Sequence, residues 1–184
     1  MTNSPKPLSH LDRNGRARMI DVSAKAPARR QAHVQAVINL SPEAFEAIQQ
    51  QRLSKGDPFT VAKIAGIQAA KRTAELIPLC HPLPIDHLDL TFDPDPTTQT
   101  IRVMAMARTT AKTGIEMEAF LAAAVASLTL YDMVKAVDPA ATITDLQLLR
   151  KTGGKCLFDR RSSVGSGLRA VGSGELPRAQ NPEP

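Results

Sequence analysis

The chain has 184 residues, with 42% hydrophobic and 22% charged content, enough to bury one sizeable core, so a single domain is expected. The absence of Trp and the single Tyr argue against a base-stacking surface for single-stranded nucleic acid. The net charge of +5 is carried wholly by residues 1–30, where Lys6, Arg13, Arg16, Arg18, Lys25, Arg29 and Arg30 face only Asp12 and Asp21.

A basic arm beside a neutral body suits either nucleic acid or one wall of a site for a polyphosphorylated small molecule. With no stacking aromatics and no helix-turn-helix pattern, no nucleic acid partner is expected. Cys80 and Cys156 make no disulfide framework and Met1 to His10 has no apolar signal core, so a reducing cytoplasm is the expected location.

Residues 1–15 read as a mobile N-terminal segment, 16–157 as a single catalytic domain and 158–184, rich in Ser, Gly, Arg and Pro, as a disordered tail. Within the domain, Met19 to Val22 suit a short strand or an ordered anion-binding arm. Val34, Ala36, Ile38 and Leu40 alternate with more polar neighbours and predict a half-buried strand. Ser41-Pro42 opens a helix, with Ser as N-cap and Pro in the first turn, and Asp57-Pro58 opens a second that runs from about Phe59 to Leu76 before Pro78.

Leu88, Leu90 and Phe92, then Ile101, Val103, Ala105 and Ala107, predict two strands of an antiparallel hairpin joined by a turn through Asp93 to Thr98. A long helix over 116–137 and a last strand over 143–149 follow. The charge-free run Ala119 to Tyr131 is too short to span a bilayer, so no membrane partner is expected. The pattern is that of an α+β sandwich, one antiparallel sheet with helices packed on one face.

Ionisable groups interrupt otherwise apolar sequence at two places. Cys80-His81 sits between prolines, where, on the residues alone, a buried thiol and a His bonded to a backbone carbonyl explain the pair better than chemistry does. No CxxC or HExxH accompanies it, so no metal site is expected. Glu116 complements the dipole at the start of the long helix, but Glu118 points about 200° away and needs another explanation. Asp132 and Lys135, at i,i+3, read as a surface ion pair or a catalytic one.

Glu118 and Asp132 are roughly 21 Å apart along a straight helix, so they cannot share a small site within one chain. Two copies packed antiparallel would bring Glu118 of one to Asp132 and Lys135 of the other, with Ala119, Ala122 to Ala124, Ala126 and Ser127 allowing close approach. Lys55, Lys63, Lys71 and Lys151 are solvated surface residues or proton carriers. Gly153-Gly154-Lys155 lacks P-loop spacing.

The blocks Met19 to Lys25, Lys55-Gly-Asp57, Ile64 to Thr73, Ile77-Pro-Leu-Cys-His-Pro-Leu83, Lys112-Thr-Gly-Ile-Glu-Met-Glu118, Leu130-Tyr-Asp-Met133, Lys135-Ala-Val137 and Lys151 to Lys155 together resemble the MoaC family. Its members are cyclic pyranopterin monophosphate synthases of molybdenum cofactor biosynthesis, and the likeness covers about residues 8–158. It implies a ferredoxin-like sheet, a homohexamer built as a trimer of dimers with sites between subunits, and no resident cofactor, a divalent cation such as Mg2+ at most accompanying the substrate triphosphate.

The implied reaction converts 3′,8-cyclo-7,8-dihydroguanosine 5′-triphosphate to the cyclic pyranopterin with release of diphosphate, as a lyase. Carried over position by position, the resemblance makes Asp132, Lys55 and Lys135 catalytic and Leu79, Cys80, His81, Met117 and Glu118 substrate contacts. Lys25, Arg30, Lys71 and Lys151 are added as triphosphate ligands, and Glu116 as a further substrate contact.

Overall fold

The computed structural model describes residues 10–12, 14–53, 56–154 and 156–160. The elements in order are β1 (Ala28–Asn39), α1 (Pro42–Gln49), α2 (Pro58–Lys71), α3 (Thr73–Leu76), β2 (His87–Asp95), β3 (Thr100–Ala111), α4 (Glu116–Val134), β4 (Thr142–Thr152) and β5 (Phe158–Asp159). They make one antiparallel sheet in the order β2-β3-β1-β4-β5, the ferredoxin-like arrangement with β5 added at one edge. Helices cover one face.

Strand alternation decides which face. Ala32, Val34, Ala36 and Ile38 of β1 and Ile101, Val103, Ala105 and Ala107 of β3 are all buried on the face that α4 covers, with α2 packed beside α4 over β2, while Gln31, His33, Gln35, Met104 and Met106 lie on the opposite face. β4 departs from regular pairing where Gln35 pairs Gln147 but Val37 pairs Thr144, and Asp145 there takes a φ of 50°.

The caps follow the sequence. Ser41 Oγ accepts from the Ala44 amide at 3.2 Å, and Asp57 accepts from the amides of Phe59 and Thr60. The second predicted helix is broken at Arg72, however. Buried Thr73 donates its hydroxyl to the Ala70 carbonyl at 2.9 Å, an i−3 bond that competes with the helical ladder, and a short α3 follows.

The predicted hairpin turn is shifted too. β2 runs on through Asp93, Pro94 and Asp95, because β2 is an edge strand where a proline need not break a ladder. β1 and β4 are longer than predicted, and Met19 to Val22 form no strand. Phe158–Asp159, at the start of the segment assigned to the tail, pair with Lys151 and Arg150. Residues 161–184 lie outside the described residues.

α4 is the central helix. It is long and apolar enough to cross a membrane by length and composition, yet half of it is buried within this fold. Gly66 of α2 crosses it so closely that an added Cβ would lie 2.7 Å from the Ala122 carbonyl oxygen and 3.3 Å from the Ala126 Cβ. This corrects one expectation: Ala119, Ala122, Ala123, Ala126 and Ser127 are buried against the chain's own helix and sheet, so they do not face a second copy. Buried Asp138 anchors the far end, accepting from the Ser41 amide at 2.6 Å and the Ala140 amide at 3.2 Å.

Candidate active site

After α3, the loop through Leu79, Cys80 and His81 runs back toward the start of α4 with Cys80 and His81 half-buried. Glu118, on the first turn of α4, is only 4% exposed. Burial pushes its carboxyl above the ordinary range and the charge of Glu116 adds to this, against the opposing pull of a main-chain hydrogen bond. Burial likewise raises the Cys80 thiol, and the nearby Glu118 carboxylate raises it further. The thiol is therefore protonated near neutrality, within the field of the Glu118 carboxylate.

Glu116 points elsewhere, as the helical geometry requires. Its Oε1 lies 3.0 Å from Lys151 Nζ at the end of β4, and its carboxylate packs over Gly114, where a Cβ would come within 1.8 Å of Oε2. Arg30 stands at the neighbouring end of β1. Its Nε donates to the Ala111 carbonyl at 2.9 Å and its Nη2 to the Lys112 carbonyl at 3.2 Å, so much of its hydrogen-bonding capacity fixes the strap before α4 rather than pointing to a ligand.

Lys112 is not among the candidates that the sequence marks, yet it donates Nζ to the Ser23 carbonyl at 2.9 Å and ties the N-terminal arm to the same strap. Its place just before Gly114 and the acidic helix start was the available signal. Lys25 is exposed on a turn that closes on Val22. Val22, Pro27, His81, Leu83 and Lys112 are among the residues lining a cavity of about 270 Å³ at this end. Met117 is half-buried on α4, and Lys71 is exposed at the end of α2, where a cation complements the helix dipole.

The second group lies a helix length away. Asp132 Oδ1 and Lys135 Nζ are 2.8 Å apart, each more than half exposed. The hydrogen bond and charge of Asp132 push the Lys135 ammonium above its ordinary range. Within the single chain this direction is opposite to the lowering that lets a lysine exchange protons near neutrality. Lys55 lies outside the described residues.

Helix direction explains the separation. Gly66 meets the middle of α4, and the chain after α3 brings Cys80 to Glu118 at its start, so α2 and α4 run antiparallel. The start of α2 therefore lies beside the Asp132 end. On the outer surface between the two groups, Leu128 of α4 is 55% exposed, and Ile64 and Val61 of α2 are 52% and 40% exposed.

Lys63 belongs to neither group: it is paired with Asp89 at 2.7 Å and lines a larger groove of about 380 Å³ with Phe59 and Phe92, away from the residues that the resemblance marks. Among the described residues, no group of three or more His, Cys, Asp or Glu is placed to hold a metal ion.

Comparison with known proteins places the chain among named enzymes. The chain is 50% identical over 148 residues to a cyclic pyranopterin monophosphate synthase of Trichodesmium erythraeum, covering 80% of this chain and 89% of that protein. It is 50% identical over 154 residues to the synthase of Geotalea uraniireducens, covering 84% and 96%, and 46% identical over 149 residues to that of Heliobacterium modesticaldum, covering 81% and 94%. The family model described as "MoaC family" matches residues 19–154, a span that holds every candidate residue named above, and the chain belongs to this family.

Proposed function

We propose that this chain is a cyclic pyranopterin monophosphate synthase of molybdenum cofactor biosynthesis. It converts 3′,8-cyclo-7,8-dihydroguanosine 5′-triphosphate to cyclic pyranopterin monophosphate and releases diphosphate, as a phosphorus–oxygen lyase. The observation that carries this reading is the 50% identity to named synthases over about four fifths of the chain, together with the family match over residues 19–154.

Opening and reclosing a guanine-derived ring and cyclising a phosphate ester need several proton transfers beside strong anion binding. Leu79, Cys80, His81, Met117 and Glu118 hold the ring system, with Glu116 beside them. Lys25, Lys71 and Lys151 bind the triphosphate, and Arg30, tied to the Ala111 and Lys112 carbonyls, adds its positive charge beside them; a divalent cation such as Mg2+ belongs to that triphosphate and arrives with it. Asp132, Lys55 and Lys135 carry the proton transfers.

Because one chain keeps the two groups at opposite ends of α4, a complete site takes one group from each of two chains. Leu128, Val61 and Ile64 give this contact an apolar centre. The assembly is a homohexamer, a trimer of such dimers, working in the cytoplasm. Incubating the purified protein with the cyclised dihydro-GTP, and following diphosphate and the pterin product, tests the assignment. Product formation by the parent, and its loss in Asp132→Ala, is the expected result; absence of both products with intact protein would refute it.

A further inference from the structure

The row of inward-facing residues on β3 is Ile101, Val103, Ala105 and Ala107, and the next member of that row is Thr109. It is 2% exposed, so its hydroxyl needs a partner inside the protein. The partner is the Pro84 carbonyl, to which Thr109 Oγ1 donates at 2.6 Å across 25 residues of sequence. Valine has nearly the same shape and would continue the apolar row, so packing alone does not explain a threonine here.

The bond joins the two walls of one cavity. His81 to Pro84 form one wall of the 270 Å³ cavity and Thr110 to Thr113 the other, and Thr109 immediately precedes the second. Next to the bond, the Asp86 amide donates to the Arg108 carbonyl at 3.0 Å. Pro82 and Pro84 fix two of the loop's φ angles and remove two of its donors. Few conformations are left to the segment from His81 to Pro84, and one anchor at Pro84 sets where its wall stands.

We infer that Thr109 is a positioning residue, whose hydroxyl fixes the His81–Pro84 wall relative to the Thr110–Thr113 wall and so sets the substrate-binding cavity. The inference rests on the proposed synthase activity. It assigns Thr109 no contact with the substrate.

Three variants, Thr109→Val, Thr109→Ala and Thr109→Ser, test it by hydrogen exchange of the amides in 79–86 without substrate and by steady-state kinetics with the cyclised dihydro-GTP. Removing the hydroxyl should speed exchange in 79–86 by about tenfold and lower kcat/KM by about tenfold, mainly through KM, because a misplaced wall weakens binding before it alters the reacting groups. Thr109→Ser should restore both to within about twofold, since it keeps the donor. Parental exchange and kinetics in both hydroxyl-free variants would overturn the inference, as would equal damage in Thr109→Ser. If the parent itself makes no product, the synthase reading fails on its own, and the exchange measurements still decide whether Thr109 holds the loop.

Discussion

Lys151 Nζ and Glu116 Oε1 lie 3.0 Å apart, joining the last long strand to the first turn of the central helix. Both side chains keep about a quarter to a third of their surface in water, so the pair should contribute no more than about 1 kcal/mol to stability. Its effect on binding should be larger, because a triphosphate must compete with Glu116 for the Lys151 ammonium. Glu116→Gln is expected to tighten a non-reacting triphosphate analogue severalfold, and Lys151→Gln to weaken it. Calorimetric titration of both variants checks this, and weaker binding in Glu116→Gln would mean that the carboxylate itself holds the ligand.

Gly66 separates intrinsic propensity from packing. Within a helix, Gly to Ala ordinarily stabilises by about 1 kcal/mol. Here the new Cβ would meet the backbone carbonyl of Ala122 at 2.7 Å, and a backbone atom yields only if α2 moves away from α4. Gly66→Ala should therefore destabilise by about 1–3 kcal/mol, the usual cost of overpacking. Denaturant unfolding measures it directly, and a stabilised variant would show that the helices separate easily.

The fold was legible wherever one face of an element is buried, and poorly legible where a single side-chain bond decides. The alternation of Val34, Ala36 and Ile38, and of Ile101 to Ala107, marked the two central strands, and Ser41 and Asp57 marked helix starts. The break at Arg72 depends on one Thr73 hydroxyl that also suits a continuous helix. The alanine-rich face of α4 suited a second chain as well as α2, and only the crossing at Gly66 distinguishes them. In the candidate site, the spacing of Glu116 and Glu118 gave their divergence correctly. The commitment of Arg30 to two carbonyls, and the burial of Thr109 beneath the cavity, depend on neighbours 81, 82 and 25 residues away.

Glu118 offers a pH test. Its folded-state pKa is raised above the ordinary 4.5, so the folded chain binds more protons than the unfolded one between 4.5 and the raised value. Stability from this group must then fall as pH rises through that window, and the cost is fully present above it. Glu118→Gln removes the buried charge. Its melting temperature should exceed the parent's at pH 8, and the difference should shrink toward pH 4. A constant difference across that range would mean that burial does not govern the carboxyl.

The separation of Glu118 from Asp132 predicts complementation. Chains carrying Glu118→Ala and chains carrying Asp132→Ala are each expected to be inactive alone. Under subunit exchange some interfaces combine the two intact groups, and part of the activity should return. Native mass spectrometry establishes exchange, and no recovery in verified mixed assemblies would remove the shared site.

Lys135 is held protonated by Asp132, which means its proton is available for donation, whereas its use as a base requires the pair to be broken or other cations to approach. Asp132→Asn keeps the size of the side chain and removes the charge. The Lys135 pKa should then fall toward its ordinary value, which an NMR titration of the lysine side chains reads without any turnover. Lys135→Arg keeps a positive charge but cannot release a proton near neutrality. It should bind a triphosphate analogue within about tenfold of the parent while single-turnover rates fall by on the order of 10² or more, the range usual for a lost general acid or base. Lys71→Arg, at the opposite end of the helical layer, should lose far less turnover if that residue only holds phosphate. Near-normal turnover in Lys135→Arg would leave Lys135 as a source of charge alone and move the proton transfer to another group.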